Sequence, residues 1–77
     1  LDAADAACFE ALRRWRLEQA RDQGVAPYVV FHDRTLVELA SRRPRTLAAL
    51  AEVAGVGQAK LQRYGASLLA LLQELAG

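Results

Sequence analysis

The stretch PYVVFHDRTL, Pro27 to Leu36, decides how the rest of the chain is organised. Its apolar core, Tyr28-Val29-Val30-Phe31, lacks the three- and four-residue spacing of an amphipathic helix. A lone strand would have no partner among flanking segments whose spacing is helical. We therefore interpret residues 25–32 as an extended apolar connector that lies across a helical bundle. Val30 and Phe31 are expected to fill its core.

Helices are predicted on both sides of this connector. Residues 4–23 contain no glycine or proline, and their apolar residues recur at helical spacing, which predicts a first helix that ends at Gly24. Asp33 is the expected N-cap of a second helix, because its carboxylate can accept from free amides of the first turn. The predicted buried stripe of this helix is Leu36, Leu39 and Ala40. Pro44 stops that helix after about Arg43, since the residue before a proline is pushed out of helical geometry.

The second half of the chain predicts three shorter helices. Thr46 is the expected N-cap of the first of these, and the glycines of Gly55-Val56-Gly57 end it. A fourth helix covers about Gln58 to Tyr64, and Gly65 separates it from a fifth. The predicted apolar faces are Leu47, Leu50, Ala51 and Ala54 in the third helix, and Leu68, Leu71, Leu72 and Leu75 in the fifth.

The fold class is therefore all-α: a compact bundle of five helices with an extended apolar connector between helices 1 and 2. Seventy-seven residues are expected to form one domain, residues 1–77. The absence of an initiating methionine favours an excised fragment of a larger protein. No apolar run approaches the roughly 20 residues of a membrane span, and no signal pattern is present, so we expect an intracellular protein.

The sequence offers no enzyme or metal chemistry. One cysteine excludes an internal disulfide, and one cysteine with one histidine cannot supply the four ligands of a structural zinc site. Cys8 and His32 could in principle form a nucleophile and base, but nothing in the sequence orients them. We predict no catalytic residue and no metal site.

Charge is unevenly distributed along the chain. Residues 1–33 carry six acidic and four basic side chains, whereas residues 34–64 carry six basic and two acidic ones. The net charge of the whole chain is +1, which by itself does not indicate a nucleic-acid-binding protein. The basic cluster in the second half is the more informative observation.

Three motifs in a fixed order resemble a known family. They are the Pro-Tyr-Val-Val-Phe connector with Asp and Thr-Leu after it, the Arg-Arg-Pro end of the second helix, and Gly-Val-Gly followed by Lys60, Leu61 and Tyr64-Gly65. Together they resemble the HRDC domain, the helicase-and-RNase-D C-terminal domain, over about residues 9–75. The connector and the KLQRYG element are more similar to the bacterial RecQ version than to the ribonuclease version.

The resemblance implies a five-helix auxiliary domain without catalysis of its own. It implies weak binding of single-stranded or partly single-stranded DNA, including junctions, and an influence on which DNA structures the parent helicase acts on. ATP and Mg²⁺ are expected only in the helicase core of the parent protein, and no cofactor in this domain. A monomer in the bacterial cytoplasm, associated with the nucleoid, is the expected state, with other domains of the parent as possible partners.

The resemblance also assigns site residues. Tyr28 falls at the position of a solvent-facing aromatic residue, and an exposed ring is a sequence-tolerant platform for any base. The expected nucleic-acid-binding residues are Tyr28, Arg34, Arg42, Arg43, Arg45, Lys60 and Arg63. Gly55 and Gly57 could form the phosphate-contacting turn of a helix-hairpin-helix element, although a plain tight turn is the favoured interpretation. Trp15 could be a second exposed aromatic, but its helical spacing favours the core.

A second functional class competes with DNA binding. The first 33 residues have a net charge of −2, and an acidic first helix would repel phosphate. The alternative is a module for protein interaction or intramolecular regulation with little affinity for DNA. Salt dependence separates the two, because binding through phosphates weakens as salt rises and apolar docking is less sensitive.

Overall fold

The computed structural model describes residues 1–76, and all of its regular structure is helical. The elements are α1 (Ala3–Gln23), α2 (Pro27–Val30), α3 (Asp33–Arg42), α4 (Leu47–Ala51) and α5 (Gln58–Ala76). The prediction of an all-α, five-helix fold is confirmed. The chain divides into those five helices differently from the prediction, however. Among residues 1–76, no helix has both the length and the apolar character needed to cross a membrane.

Both ends of α1 follow from local sequence. The Asp2 carboxylate accepts a hydrogen bond from the Asp5 amide at 2.8 Å, which satisfies one free donor of the first turn. Gly24 ends the helix in the left-handed conformation, with φ of 68°, as predicted. A bond from the Val25 amide to the Ala20 carbonyl completes this C-terminal cap.

The connector is not extended, and this prediction was wrong. Residues 27–30 form one turn of helix, in which Pro27 occupies the first position, where its missing amide costs nothing. The Phe31 amide bonds the Pro27 carbonyl at 3.4 Å. Four residues are too few to show a helical period, so the sequence pattern could not distinguish this turn from an extended segment. The expected filling of the core is confirmed, because Val30 and Phe31 are each about 1% exposed.

Asp33 is not the N-cap of α3, as had been predicted. His32 occupies that position with extended backbone angles, and its side chain makes no capping hydrogen bond. The Asp33 carboxylate is instead drawn to the Arg16 guanidinium, 2.8 Å away. The buried stripe of α3 agrees with the sequence pattern, since Leu36, Leu39 and Ala40 are all fully buried.

Gly65 does not interrupt α5, so the predicted fourth and fifth helices are one continuous helix. A β-carbon at Gly65 would lie 2.9 Å from the Cδ2 atom of Leu47 on α4. The glycine therefore serves close packing of two helices and not a break. The predicted N-cap Thr46 is confirmed, with its hydroxyl accepting from the Ala49 amide at 3.1 Å. Of the predicted apolar face of α4, only Leu50 is buried.

Three aromatic rings tie the elements together at the centre of the core. Trp15 on α1 stacks against Phe31 and meets Tyr64 on α5 edge-on, at centroid distances of 6.1 and 5.6 Å. The Trp15 indole donates to the Ser67 hydroxyl at 3.1 Å, and the Tyr64 hydroxyl accepts from Gln23 at 2.6 Å. Both polar tips are thus satisfied where the rings are buried. The core interpretation of Trp15 is confirmed, and the backbone of α2 and its flanks is fixed against α1 and α5.

Candidate nucleic-acid interface

The helical turn α2 carries one exposed aromatic ring, and the residues at its C-terminal end are buried. Tyr28 is 63% exposed and Val29 is 47% exposed, whereas the next two residues belong to the core. A one-turn helix separates its residues in this way because consecutive side chains point about 100° apart around the helix axis. Tyr28 therefore lies on the surface close in sequence to two core residues, and its exposure agrees with the expected solvent-facing ring.

Two cations from other helices hold the C-terminal end of α2. The Arg16 guanidinium on α1 donates to the Phe31 carbonyl at 2.9 Å. The Lys60 ammonium on α5 donates to the carbonyls of Val29 and Val30 at 2.8 and 2.5 Å. The last carbonyls of a helix have no hydrogen-bond donor within the helix, so these cations supply the donors that water would otherwise provide. The backbone that carries Tyr28 is thereby held by α1 on one side and by α5 on the other.

Lys60 thus has a structural use that the sequence analysis did not anticipate. Its ammonium also lies 5.1 Å from the centroid of the buried Phe31 ring, a cation–π contact. Its assignment as a phosphate contact stays a prediction. Arg16 was missed as well. The only signal for it in the sequence is its position on the apolar stripe of α1, where a charged residue needs a buried partner.

Replacement of Lys60 by methionine is expected to destabilise the domain by about 1 kcal/mol, since Met keeps the apolar stem but leaves two carbonyls without a charged donor. Arg63→Met is the matched control. Arg63 lies one turn further along α5 and is exposed, with its guanidinium over the Tyr64 ring at 5.7 Å. It loses the same charge without removing a backbone contact. Urea denaturation followed by circular dichroism checks both variants, and equal midpoints for the two would contradict the structural role of Lys60.

Four of the five predicted arginines lie at the two ends of α3, and the fifth, Arg63, lies on α5. Arg34 lies in the first turn of α3 and Arg42 in its last, about 12 Å apart along the axis at 1.5 Å per residue. Arg42 pairs with Glu38 at 3.6 Å. Arg43 pairs with Asp5 on α1 at 2.9 Å and donates to the Ala40 carbonyl at 3.0 Å. Two of the predicted arginines are therefore already paired with carboxylates of this domain.

Of the five predicted arginines, three have no acidic partner among residues 1–76 and are exposed: Arg34, Arg45 and Arg63. Arg34 is two residues beyond His32 and belongs to the same end of the fold as Tyr28. Arg45 lies at the other end of α3, beside a cleft of about 490 Å³ that Arg43 and residues of α5 also line. Fewer of the predicted cations are therefore free of an internal partner than the sequence suggested.

The two predicted glycines of the turn before α5 differ in their surroundings. Gly55 has φ of 94°, and a β-carbon there would lie 2.2 Å from the Thr35 hydroxyl oxygen. That hydroxyl donates to the Ala54 carbonyl at 3.1 Å, so Gly55 lets the turn pack directly on α3. Gly57 has open space around its α-carbon, and its carbonyl accepts from the Leu61 amide at 2.8 Å as α5 begins. These contacts explain Gly55 by packing; a phosphate contact at this turn stays a prediction.

Cys8 and His32 are not brought together. Cys8 is buried on α1 beside Arg43, and burial raises the pKa of its thiol, which keeps it in the unreactive protonated form near neutral pH. His32 is exposed, and its ring stacks on Tyr28 with a centroid distance of 6.1 Å. Among residues 1–76 no group of three His, Cys, Asp or Glu side chains could hold a metal ion.

Comparisons with known proteins agree with this architecture. The family model described as the HRDC domain matches residues 5–72. The chain is 44% identical over 62 residues to the ATP-dependent DNA helicase UvrD2 of Mycobacterium tuberculosis, covering 80% of this chain and 9% of that protein. It is 43% identical over 68 residues to the ATP-dependent DNA helicase RecQ of Bacillus subtilis, covering 88% of this chain and 12% of that one. The chain thus spans about a tenth of the length of these relatives.

A solved structure shows the same arrangement of helices. The HRDC domain 3 of the RecQ protein of D. radiodurans superposes with a TM-score of 0.89 at 42% sequence identity, covering 94% of this chain and 95% of that domain. Both the helical architecture and the motif order identified in the sequence are therefore accounted for. The chain belongs to the HRDC domain family.

Proposed function

We propose that this domain is a non-catalytic auxiliary module of a RecQ-type DNA helicase, which binds single-stranded or partly single-stranded DNA weakly and tunes which DNA structures the enzyme acts on. The observation that carries the proposal is Tyr28, a 63% exposed ring on a backbone turn anchored by Arg16 and Lys60. Such a ring loses little conformational freedom when a nucleobase stacks on it, because the backbone that carries the ring is already ordered.

The electrostatic part of the proposed site is modest. Arg34, Arg45 and Arg63 are exposed and make no ion pair among residues 1–76. Arg42 and Arg43 already have carboxylate partners, and Lys60 is occupied by backbone carbonyls. Among the predicted site residues, a nucleic acid would therefore find about three cations without a partner, which is consistent with weak binding that relies on a helicase core to hold the strand.

A titration of amide chemical shifts with a short single-stranded oligothymidylate, repeated over a range of salt concentrations, tests the proposal. Shifts are expected at Tyr28 and its neighbours, and the logarithm of affinity should fall with the logarithm of salt with a slope of about −2, from about 0.7 per neutralised phosphate and three arginines. A slope near −4 would mean that all six predicted cations engage phosphate and that the internal pairs open. The absence of any saturable shift at low salt would contradict DNA binding.

The alternative function, a module for protein docking or intramolecular regulation, is favoured by a specific observation. Two ion pairs already join α1 to the α3 region, since Asp5 on α1 pairs with Arg43 and Arg16 on α1 pairs with Asp33. Of the exposed acids at α1, Asp2 caps the helix and Glu10 pairs with Arg13, which leaves Glu18 and Asp22 without an ion pair among residues 1–76. If the oligonucleotide produces no shifts, this acidic surface becomes the candidate for contact with a protein or with another domain of the parent.

A further inference from the structure

We propose that His32 is a second base-stacking residue, so that Tyr28 and His32 together accept two neighbouring bases of a single strand. This inference rests on the proposed DNA binding and deepens it. The two side chains come from different elements, α2 and the N-cap of α3, but their rings are stacked with an interplanar angle of 27° and a centroid distance of 6.1 Å. That distance is within the range of an offset aromatic pair.

The rings form one exposed aromatic surface. Both residues are exposed to solvent, unlike Trp15, Phe31 and Tyr64 in the core below. An offset, nearly parallel pair extends the platform beyond the area of a single ring. Successive bases of a flexible strand can stack on such a surface without sequence preference, because every base has a π-face.

The position of His32 in the fold provides an independent argument. It is the N-cap of α3, with φ of −75° and ψ of 156°, but its side chain caps nothing. Asn, Asp, Ser and Thr are preferred at such positions because their side chains accept from the free amides of the first turn. The helix therefore begins without the stabilisation that a common residue would supply. Sites that break a local rule in this way are expected where a residue serves function.

The charge environment suits a nucleic acid. His32 is followed in sequence by Asp33, whose carboxylate is engaged with Arg16, and by Arg34, which has no ion pair among residues 1–76. Lys60 lies on the same end of the fold, bound to the carbonyls of Val29 and Val30. The carboxylate next to His32 in sequence is therefore already paired with a cation, which reduces its repulsion of a phosphate.

His32→Asn and His32→Phe form the test pair, with oligothymidylate binding and thermal unfolding as the two readouts. Asn supplies the missing cap and removes the ring, so we expect the melting temperature to rise by roughly 3–6 °C and affinity to fall about fivefold or more. Phe keeps an aromatic surface, and its affinity should stay within about twofold of wild type. A more stable Asn variant with unchanged affinity would overturn the inference.

Tyr28→Ala, and the double variant with His32→Asn, separate the possible failures. If each ring stacks its own base, the double variant should bind more weakly than either single variant, although two rings in contact need not give strictly additive free energies. If the double variant binds no worse than Tyr28→Ala alone, His32 merely orients Tyr28, and the assignment of a second base is wrong. If the wild-type domain binds no oligonucleotide, the proposed function itself fails. Binding lost in Tyr28→Ala but unaffected in His32→Asn would refute only the role of His32.

Discussion

Gly55→Ala is expected to lower the free energy of unfolding by about 2–4 kcal/mol, the largest effect on stability that we predict for a single added methyl group in this chain. Two costs combine. The φ of 94° is unfavourable for any residue with a β-carbon, and the new atom would overlap the Thr35 hydroxyl oxygen, 2.2 Å away. The buried hydroxyl would have to leave the Ala54 carbonyl or push the turn away from α3.

Gly57→Ala is the matched control for this change, since it adds the same methyl group two residues later in the same turn. Nothing lies within 4 Å of the position that its β-carbon would occupy, and its φ is not in the left-handed range. We expect a loss below about 1 kcal/mol, the preference for glycine over alanine near a helix start. Urea denaturation measures both. Equal midpoints for the two variants would show that contact with Thr35 does not determine the need for Gly55.

The same pair bears on the turn as a phosphate contact. If Gly57→Ala folds normally but weakens oligonucleotide binding, the backbone of this turn does approach a phosphate. If its affinity is unchanged, the glycines serve packing and the start of α5 alone. The two glycines of this turn can therefore be tested separately, because alanine is expected to destabilise the fold strongly at Gly55 and only slightly at Gly57.

Tyr28→Ala is expected to weaken binding of single-stranded DNA by about 1–3 kcal/mol, or roughly 5- to 150-fold, which is the range for loss of one stacked base. The free energy of unfolding should change by no more than about 0.5 kcal/mol, because the ring is exposed and buries little apolar surface. Fluorescence anisotropy of a labelled oligonucleotide at low salt measures the affinity, and circular dichroism confirms the fold.

Two control variants isolate the ring as the cause. Tyr28→Phe keeps the stacking surface and removes only the hydroxyl, so its affinity should stay within about twofold of wild type. Val29→Ala removes apolar area from the adjacent exposed residue, which is 47% exposed and has no aromatic face. If Tyr28→Ala binds as tightly as these controls, stacking on Tyr28 does not drive the interaction, and the docking alternative gains support.

The sequence predicted those features that depend on neighbouring residues. Gly24 was identified as a helix end because a glycine after a periodic segment can adopt positive φ, and Thr46 was identified as an N-cap because its hydroxyl reaches amides two or three residues ahead. The buried stripe of α3 followed from its period. The family followed from the order of three motifs, which the comparisons confirm.

The candidate site was predictable in its aromatic residue but not in its cations. Tyr28 was assigned by resemblance, and the structure places it on the surface as expected. Whether an arginine is free or paired depends on which carboxylate the fold brings near it. Asp5 and Arg43 are 38 residues apart in sequence, and no local pattern relates them. The stacking of His32 on Tyr28 likewise depends on the short turn between α2 and α3.

What the sequence determined by itself, then, was the all-α class, the helix ends at Gly24 and Thr46, the buried stripe of α3, and membership of the HRDC family, because periodicity, capping and motif order are local properties. Only the tertiary structure decided that Pro27–Val30 is helical, that Gly65 lies inside one long helix, and that Lys60 is held by backbone carbonyls. Each of these depends on a contact between residues far apart in sequence: Lys60 with Val29 and Val30, and Gly65 with Leu47. Such contacts exist only once the helices pack, which is why their energy can override the local preference of a glycine or of a short apolar run.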